Sequence, residues 1–294
     1  MKFRDLFSAR RQEVDPAEKW ELLFSESAGG SYYTGNYASH PYTPHRLAEI
    51  PAGAFESLRE PCGVEDLHQV FIIPWAVRSV GSYSHRVISP NSVLALGARA
   101  VGLWTEKPQP GLKVVIRLEE LAAIEDVTIL LYGRLSFLPF GERLRIRYNT
   151  VARDRLEQAL LELRQKLAGP AQRIPRDAQG APELPFKWNY LLRSTRVGLA
   201  RDVAVAFRFA NVPGRRRRDP SRGQLLVLNP HELVYLCDPA EANEKYGVDS
   251  FIVPRSRVSG IRVQKGNLEV TAMGAHFSLS MAPVLSDAAV HWLG

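Results

Sequence analysis

The residues best suited to contact a ligand are the arginines of PGRRRRDPSRG, from Pro213 to Gly223. A guanidinium group pairs with phosphate through two parallel hydrogen bonds, so this run could bind a lipid headgroup, a phosphorylated ligand or a nucleic acid. The candidate ligand-binding residues are Arg215, Arg216, Arg217, Arg218 and Arg222. A solvated loop is the alternative reading, because 30 of the 38 basic residues of the chain are arginine.

Other residues have the types that catalysis and metal binding require. They are His40 and His45 of HPYTPH, Cys62, Glu65, Asp66 and His68 of VEDLH, and Glu119 with Glu120. Two prolines separate the histidines, the cysteine has no evident base partner, and the acidic groups suit solvated strand ends. No pattern of a phosphate loop, a dinucleotide fold, a zinc protease or a serine hydrolase occurs. We therefore expect no catalytic residues, metal or cofactor, and a protein that is not an enzyme.

Length and composition are those of a soluble globular protein with room for two domains. The chain has 294 residues, of which 45% are hydrophobic and 23% are charged. Cys62 and Cys237 are far apart among apolar neighbours, which indicates buried free thiols in a reducing compartment. No run of about 18 apolar residues occurs, and MKFRDLFSARRQEVD lacks the apolar stretch of a secretory leader. We expect a cytoplasmic location, with peripheral contact to a membrane as the alternative.

The net charge of +7 is unevenly distributed along the chain. Residues 1–69 hold 7 basic and 11 acidic residues, whereas residues 70–168 hold 14 and 9, and residues 169–294 hold 17 and 11. The later two thirds therefore suit an anionic partner. We hypothesise that the acidic first segment covers a binding face of the basic remainder.

Spacing and capping patterns predict two helices and one linker. Leucines at three- and four-residue spacing predict a helix from about Thr150 to Leu167, which Gly169-Pro170 ends. Asp15-Pro16 predicts the start of another helix, with Trp20, Leu23 and Phe24 on its buried face. The segment from Gly169 to Phe186 holds four prolines and two glycines and is interpreted as a linker. The aromatic, irregular stretch from about Gly29 to Pro61 predicts loops and short pieces of structure.

The two halves of the chain repeat one order of predicted strands. At an offset of 132 residues, SVLALGARAVGLW from Ser92 aligns with QLLVLNPHELVYL from Gln224, and both read as strand, tight turn and strand. With small changes of offset, VVIRLEELAAIEDV aligns with FIVPRSRVSGIRV, GRLSF with GNLEV, and FGERLRIRY with MGAHFSLSM. The segment VLSDAAVHWL near Gly294 then corresponds to the helix that ends at Leu167.

These pieces resemble the pleckstrin-homology-like (PH-like) split barrel, specifically the bacterial PH-like domains. The resemblance covers about residues 68–168 and 187–294 and rests on the order of the elements, not on a signature motif. It implies a mainly β, α+β fold with two split barrels in tandem, each a bent antiparallel sheet with a C-terminal capping helix. The second helix has room for only two or three turns before Gly294.

The resemblance also implies domain limits and a function. We expect a mixed helical and irregular segment over residues 1–66, a first barrel over 67–168, the linker over 169–186 and a second barrel over 187–294. Without a catalytic set, protein–protein interaction or self-association as a scaffold is favoured.

In lipid-binding PH domains basic residues gather between the first two strands, where the Arg215–Arg218 run aligns. An anionic membrane lipid or phospho-ligand is therefore the alternative partner. Weak, sequence-independent binding of nucleic acid is the second alternative, and it is disfavoured because the run has no aromatic residue for base stacking.

Overall fold

The computed structural model describes most of the chain after residue 41. The described ranges are 42–73, 76–80, 84–89, 91–106, 113–129, 132–139, 144–150, 153–175, 183–194, 203–208, 223–238, 247–264 and 267–293. The helix predicted after Asp15, with Trp20, Leu23 and Phe24, lies outside these ranges.

Sixteen strands and four α-helices make up the described fold. The helices are α1 Ala54–Cys62, α2 Arg153–Leu167, α3 Phe186–Arg193 and α4 Pro283–Leu293. The strands are β1 Val70–Ile73, β2 Ala76–Val80, β3 Ser84–Ser89, β4 Ser92–Leu96, β5 Ala100–Thr105, β6 Lys113–Arg117, β7 Leu121–Ile129, β8 Tyr132–Pro139, β9 Leu144–Asn149, β10 Ala204–Arg208, β11 Gln224–Leu228, β12 Glu232–Cys237, β13 Gly247–Pro254, β14 Val258–Gln264, β15 Asn267–Ala272 and β16 Ala275–Ser280. The prediction of a mainly β, α+β fold is confirmed.

The strands form antiparallel sheets in four groups. Their orders are β1-β4-β5-β6, β10-β11-β12-β13-β7-β8-β9, β14-β15-β16 and the hairpin β2-β3. Within the described residues these sheets are open, and none closes into a barrel by hydrogen bonding.

The same order of elements occurs in the first half, residues 70–167, and in the second half, residues 204–293. Apart from the hairpin β2-β3, each half shows four strands, a three-residue 3-10 helix, three strands and an α-helix. Leu94 pairs with Leu103 on the neighbouring strand, and Leu226 pairs with Tyr235. Both pairs join residues that the alignment at the offset of 132 places in equivalent positions. Asn229 shapes the second turn, since its Oδ1 accepts the amides of His231 and Glu232.

The two halves share one sheet, which differs from the expectation of two separate barrels. Strand β13 of the second half pairs along β7 of the first half, from Gly247 opposite Ile129 to Ile252 opposite Ile124. This pairing, called the β13·β7 junction below, makes the seven-stranded sheet continuous between the halves. Two strand edges that would otherwise be unpaired therefore satisfy each other's backbone groups.

Both faces of the first four-stranded sheet are covered, which explains why its strands are almost continuously apolar. Leu94 and Leu96 point into the largest hydrophobic core, which also contains the leucine stripe of α2. Val93 and Ala95 point to the opposite face, where α1 covers them. Alternate residues of one strand thus enter two different cores.

In the second half, strand β11 also sends alternate residues into two different cores. One of these cores is shared with the first half. Leu226 and Leu228 enter a core with β15 and α4. Leu225 and Val227 belong to the same core as Leu94 and the leucines of α2. A single core therefore spans both halves.

Helix α1 lies at the end of the stretch for which the sequence predicted loops and short pieces, and it was not itself predicted. Gly53 and Gly63 flank the helix with φ angles of +80° and +66°, in the left-handed region that glycine adopts readily. Ala54, Leu58 and Cys62 form its buried face at four-residue spacing. Pro61 is in its last turn, which hid the short helix from a search for uninterrupted periodicity.

Helix α2 and the segment after it connect the halves. The helix begins at Arg153, about three residues later than predicted, and ends at Leu167 as predicted. The following residues, predicted to be a linker, lie against the second half where they are described. The amide of Gln172 donates to the carbonyl of Pro230 at 2.8 Å, and Ile174 is buried.

Candidate interaction surface

Helix α3 is fixed to the second half by its buried face. Trp188 and Leu191 are buried at three-residue spacing and belong to the core shared by both halves. The Trp188 ring lies 5.5 Å from the ring of Phe207. A Cβ atom added to Gly223 would be 2.6 Å from Cζ2 of Trp188, so the indole packs directly on the backbone at the start of β11. The helix is therefore a rigid part of the fold.

An ion pair holds the same helix from the side. Lys187 Nζ lies 2.5 Å from Asp238 Oδ1 and donates to the carbonyl of Gly247 at 2.9 Å. The second carboxylate oxygen of Asp238 accepts the amide of Gly223 at 2.7 Å. The lysine also lies 5.1 Å from the centre of the Trp188 ring. Lys187 therefore has a structural role, since its ammonium group is bound to groups of the second half.

The outer face of α3 presents two aromatic rings and one cation. Phe186 is 89% exposed and Tyr190 is 67% exposed, the two largest values among the exposed large apolar residues described. Arg193 follows three residues after Tyr190 and is also exposed. Positions separated by four and three residues share one helix face, so the three side chains form a single stripe, called the α3 stripe below. Aromatic residues and arginine are the types enriched in protein interfaces.

This helix was not predicted, because the sequence assigned Phe186 to the linker and the residues after it to the second barrel. The signal was present in FKWNYLLR, where Trp188, Leu191 and Leu192 recur at helical spacing directly after Pro185. Eight residues are too few for a confident helical period. Phe186 and Tyr190 are extra apolar residues on the opposite face, and they obscured the amphipathic pattern.

The predicted ligand-binding arginines, Arg215 to Arg218 and Arg222, lie outside the described residues. Chain connectivity relates their segment to α3. The segment leaves β10 after Arg208 and returns at Gly223, the residue in contact with Trp188. Both attachment points thus belong to the part of the second half that carries the α3 stripe.

Cys62 is a packing residue on the buried face of α1. Burial raises the pKa of its thiol to about 11, although Lys113 and Arg99 oppose this shift. At neutral pH the group is therefore an unreactive thiol. Cys62 and Cys237 are both buried and outside any disulfide, as predicted.

The acidic residues near His68 shape the entrance to β1. Asp66 Oδ1 accepts the His68 amide at 3.2 Å and lies 3.1 Å from Nδ1 of the imidazole. The hydrogen bond from the amide lowers the pKa of Asp66 below its usual range. The amide of Glu65 donates to the side chain of Gln69, so both acidic positions belong to a local cap that is open to solvent.

The remaining candidate catalytic and metal-binding residues are not brought together into one site where they are described. His40 lies outside the described residues, and the backbone amide of His45 donates to Glu49. Glu119 and Glu120 both pair with Arg117, which lowers the pKa of Glu120. Arg117 and Glu119 border an open depression of about 560 Å³, in which Arg99 donates to the carbonyl of Glu60. Among the described residues no group of three or more His, Cys, Asp or Glu side chains could hold a metal ion.

Two buried arginines, missed from the sequence, connect the halves. Arg164 of α2 forms two hydrogen bonds with the carboxylate of Glu232, at 2.9 and 2.6 Å, and the two side chains are only 5% and 1% exposed. Arg255 donates to the carbonyls of Gln172, Arg173 and Asn229, and burial lowers the pKa of its guanidinium. Both guanidinium groups therefore act as structural cross-links.

No protein-family model, curated protein or solved structure matches this chain. Among the described helices none is both long enough and apolar enough to cross a membrane.

Proposed function

We propose that this protein is a non-catalytic binding protein that consists of two PH-like modules in tandem and docks a protein partner on the α3 stripe. The order of elements in each half supports the PH-like modules. The exposed aromatic pair Phe186 and Tyr190, on a helix that is anchored on its other face, is the observation that carries the docking proposal.

The rigidity of α3 favours recognition of a protein. Trp188, Leu191 and the Lys187–Asp238 pair fix the helix before any partner arrives, so little conformational entropy is lost on binding. Side chains at four- and three-residue spacing are the anchors with which a helix enters an apolar groove. The expected partner therefore has an apolar groove for the two rings and an acidic group opposite Arg193.

The described charges favour a protein over a membrane surface. Of the two cations on α3, Lys187 is bonded to Asp238, and Arg193 alone belongs to the stripe. One arginine contributes only about 1 kcal/mol near an anionic leaflet. Membrane attachment through this face alone would be weak.

An anionic membrane lipid or phospho-ligand is the second candidate partner. It is supported by the connection of the segment that carries Arg215 to Arg218 and Arg222 to the strands beneath α3. These five arginines could supply about 5 kcal/mol before losses. Replacing Arg215–Arg218 with serine should then abolish flotation with anionic vesicles at low salt, and unchanged flotation would reject this candidate.

Site-specific photo-crosslinking tests the main proposal. A photoreactive phenylalanine at position 190 should capture a defined protein in cells that express the chain, and the same group at the exposed position 284 serves as the control. The captured protein is then purified and titrated against the wild type, Phe186→Ser/Tyr190→Ser and the control Val284→Ser/Val290→Ser. Loss of two interface aromatics should weaken binding by about 10-fold or more, whereas the α4 control should bind normally. Equal binding by all three proteins would reject the α3 stripe as the docking surface.

A further inference from the structure

The β13·β7 junction joins two different strand positions, one from each half of the chain. Strand β13 is the last strand of its four-stranded group, and β7 is the first of its three-stranded group. The strands in the equivalent positions are β6 in the first half and β14 in the second. Within the described part of the chain, both β6 and β14 end their sheets with one unpaired edge.

We propose that β6 of one copy pairs with β14 of a second copy in the way that β13 pairs with β7, so that the chain associates head to tail. The free edge of β6 is thus paired with β14 of a second copy, and the free edge of β14 with β6 of another copy. The junction inside the chain is the argument for this partner, because it pairs the same two strand positions within one chain.

The in-chain register predicts the residues that meet. Ile252 is opposite Ile124 in the β13·β7 junction. The equivalent pair between copies is Val115 opposite Ile261, so an aliphatic pair is retained. Lys113 then lies opposite Val263, a β-branched side chain that is 45% exposed at the free edge. Aliphatic cross-strand pairs stabilise antiparallel pairing.

The backbone of β14 can form the required hydrogen bonds. Gln264 and Asn267 face each other across a two-residue hairpin, so they form its closing hydrogen-bonded pair. Backbone groups of successive residues point to opposite sides of a strand, and the amide of Val263 therefore points to the free edge. Its equivalent in β7, Asp126, faces β13 opposite Ser250.

The edge charges predict how association responds to salt. Lys113 lies at the start of β6 and Arg262 lies on β14, whereas Arg117 at the end of β6 is paired with Glu119 and Glu120. Cations on edge strands weaken unwanted pairing, and here they would repel each other between copies. Screening by salt should therefore strengthen the association, in contrast to an interface held by ion pairs.

The two edges differ, so the interface is heterologous. A first pairing leaves β6 free at one end of the dimer and β14 free at the other, and further copies can add until a ring closes or a filament grows. This geometry permits a complementation test, because each edge can be blocked separately.

The test uses the purified full chain in sedimentation velocity, at about 0.05 M and about 0.5 M NaCl. Val263→Pro removes the outward amide of β14, and Lys113→Pro blocks the start of β6. Val263→Thr keeps both the amide and the branched shape and serves as the matched control. Circular dichroism and thermal melting establish that each variant retains the wild-type fold.

The wild type and Val263→Thr should form species heavier than the 32.9 kDa chain, and the fraction of these species should rise with protein concentration. The fraction should also be larger at the higher salt concentration. Each proline variant alone should remain monomeric. A mixture of the two should form a dimer and nothing larger, since one intact β6 and one intact β14 remain. A wild type that is monomeric at all concentrations, or folded proline variants that associate like the wild type, would overturn the proposal. These measurements use one purified protein, so they are independent of a partner on the α3 stripe.

Discussion

At the scale of residues, the buried arginines Arg164 and Arg255 are paired with a carboxylate and with backbone carbonyls, respectively. Arg164 and Glu232 form a two-bond ion pair in the interior, and Arg255 binds three carbonyl groups. Such groups are costly to bury, and they persist because each has a partner of matching geometry. They fix the position of α2 and the segment after it relative to the second half.

Replacing Arg164 with methionine should lower the free energy of unfolding by about 3–5 kcal/mol, because the buried carboxyl group of Glu232 loses its partner. The double variant Arg164→Met/Glu232→Met should recover most of this loss, since no charge is left without its partner. Chemical denaturation measures both values, with the exposed Arg193→Met as the control. A double variant no more stable than Arg164→Met would show that the two residues are not coupled.

At the scale of elements, the packing of α1 on the first sheet depends on a glycine. The helix crosses the outer face of the first sheet at Gly102, where a Cβ atom would overlap Sγ of Cys62 and approach Cδ2 of Leu58. Gly260 is also a strand glycine, but an added Cβ there would lie 3.8 Å from Thr271, at ordinary contact distance. The two positions therefore differ in packing although the residue type is the same.

Gly102→Ala should therefore destabilise the protein by about 1–3 kcal/mol, as expected for overpacking a core. Gly260→Ala should change the free energy of unfolding by no more than about 0.5 kcal/mol. Chemical denaturation of the two variants next to the wild type provides the comparison. Equal stability of both variants would mean that α1 moves away from the sheet at little cost.

At the scale of the whole molecule, the halves are joined by a shared sheet and a shared core. The β13·β7 junction makes the sheet continuous, and residues of both halves form one cluster, among them Leu94 and Leu225. Unfolding of one half would expose the apolar face of the other. The halves should therefore depend on each other for stability.

We expect a single cooperative unfolding transition, with the same midpoint by far-UV circular dichroism and by tryptophan fluorescence. Gly102→Ala, a change in the first half, should shift the whole transition to lower denaturant. Two separated transitions, only one of them shifted by the variant, would contradict this coupling.

Much of the element order could be read from the sequence because it depends on neighbours along the chain. The leucine stripe before Gly169 predicted α2, and the apolar runs on either side of Gly97-Ala98 and Asn229-Pro230 predicted four strands with their partners. Helices α1 and α3 were missed because each has only two turns and a residue that breaks the pattern, Pro61 in one and the exposed Phe186 in the other.

The sequence by itself determined the class of fold, the order of its strands apart from the hairpin β2-β3, and the burial of both cysteines. Only the tertiary structure decided which strand edges meet, that Arg164 reaches Glu232, and that Phe186 and Tyr190 remain outside the core. The physical reason is the range of the interactions. Periodicity and turn chemistry act between residues close in sequence, whereas edge pairing and burial depend on surfaces that folding brings together from distant parts of the chain.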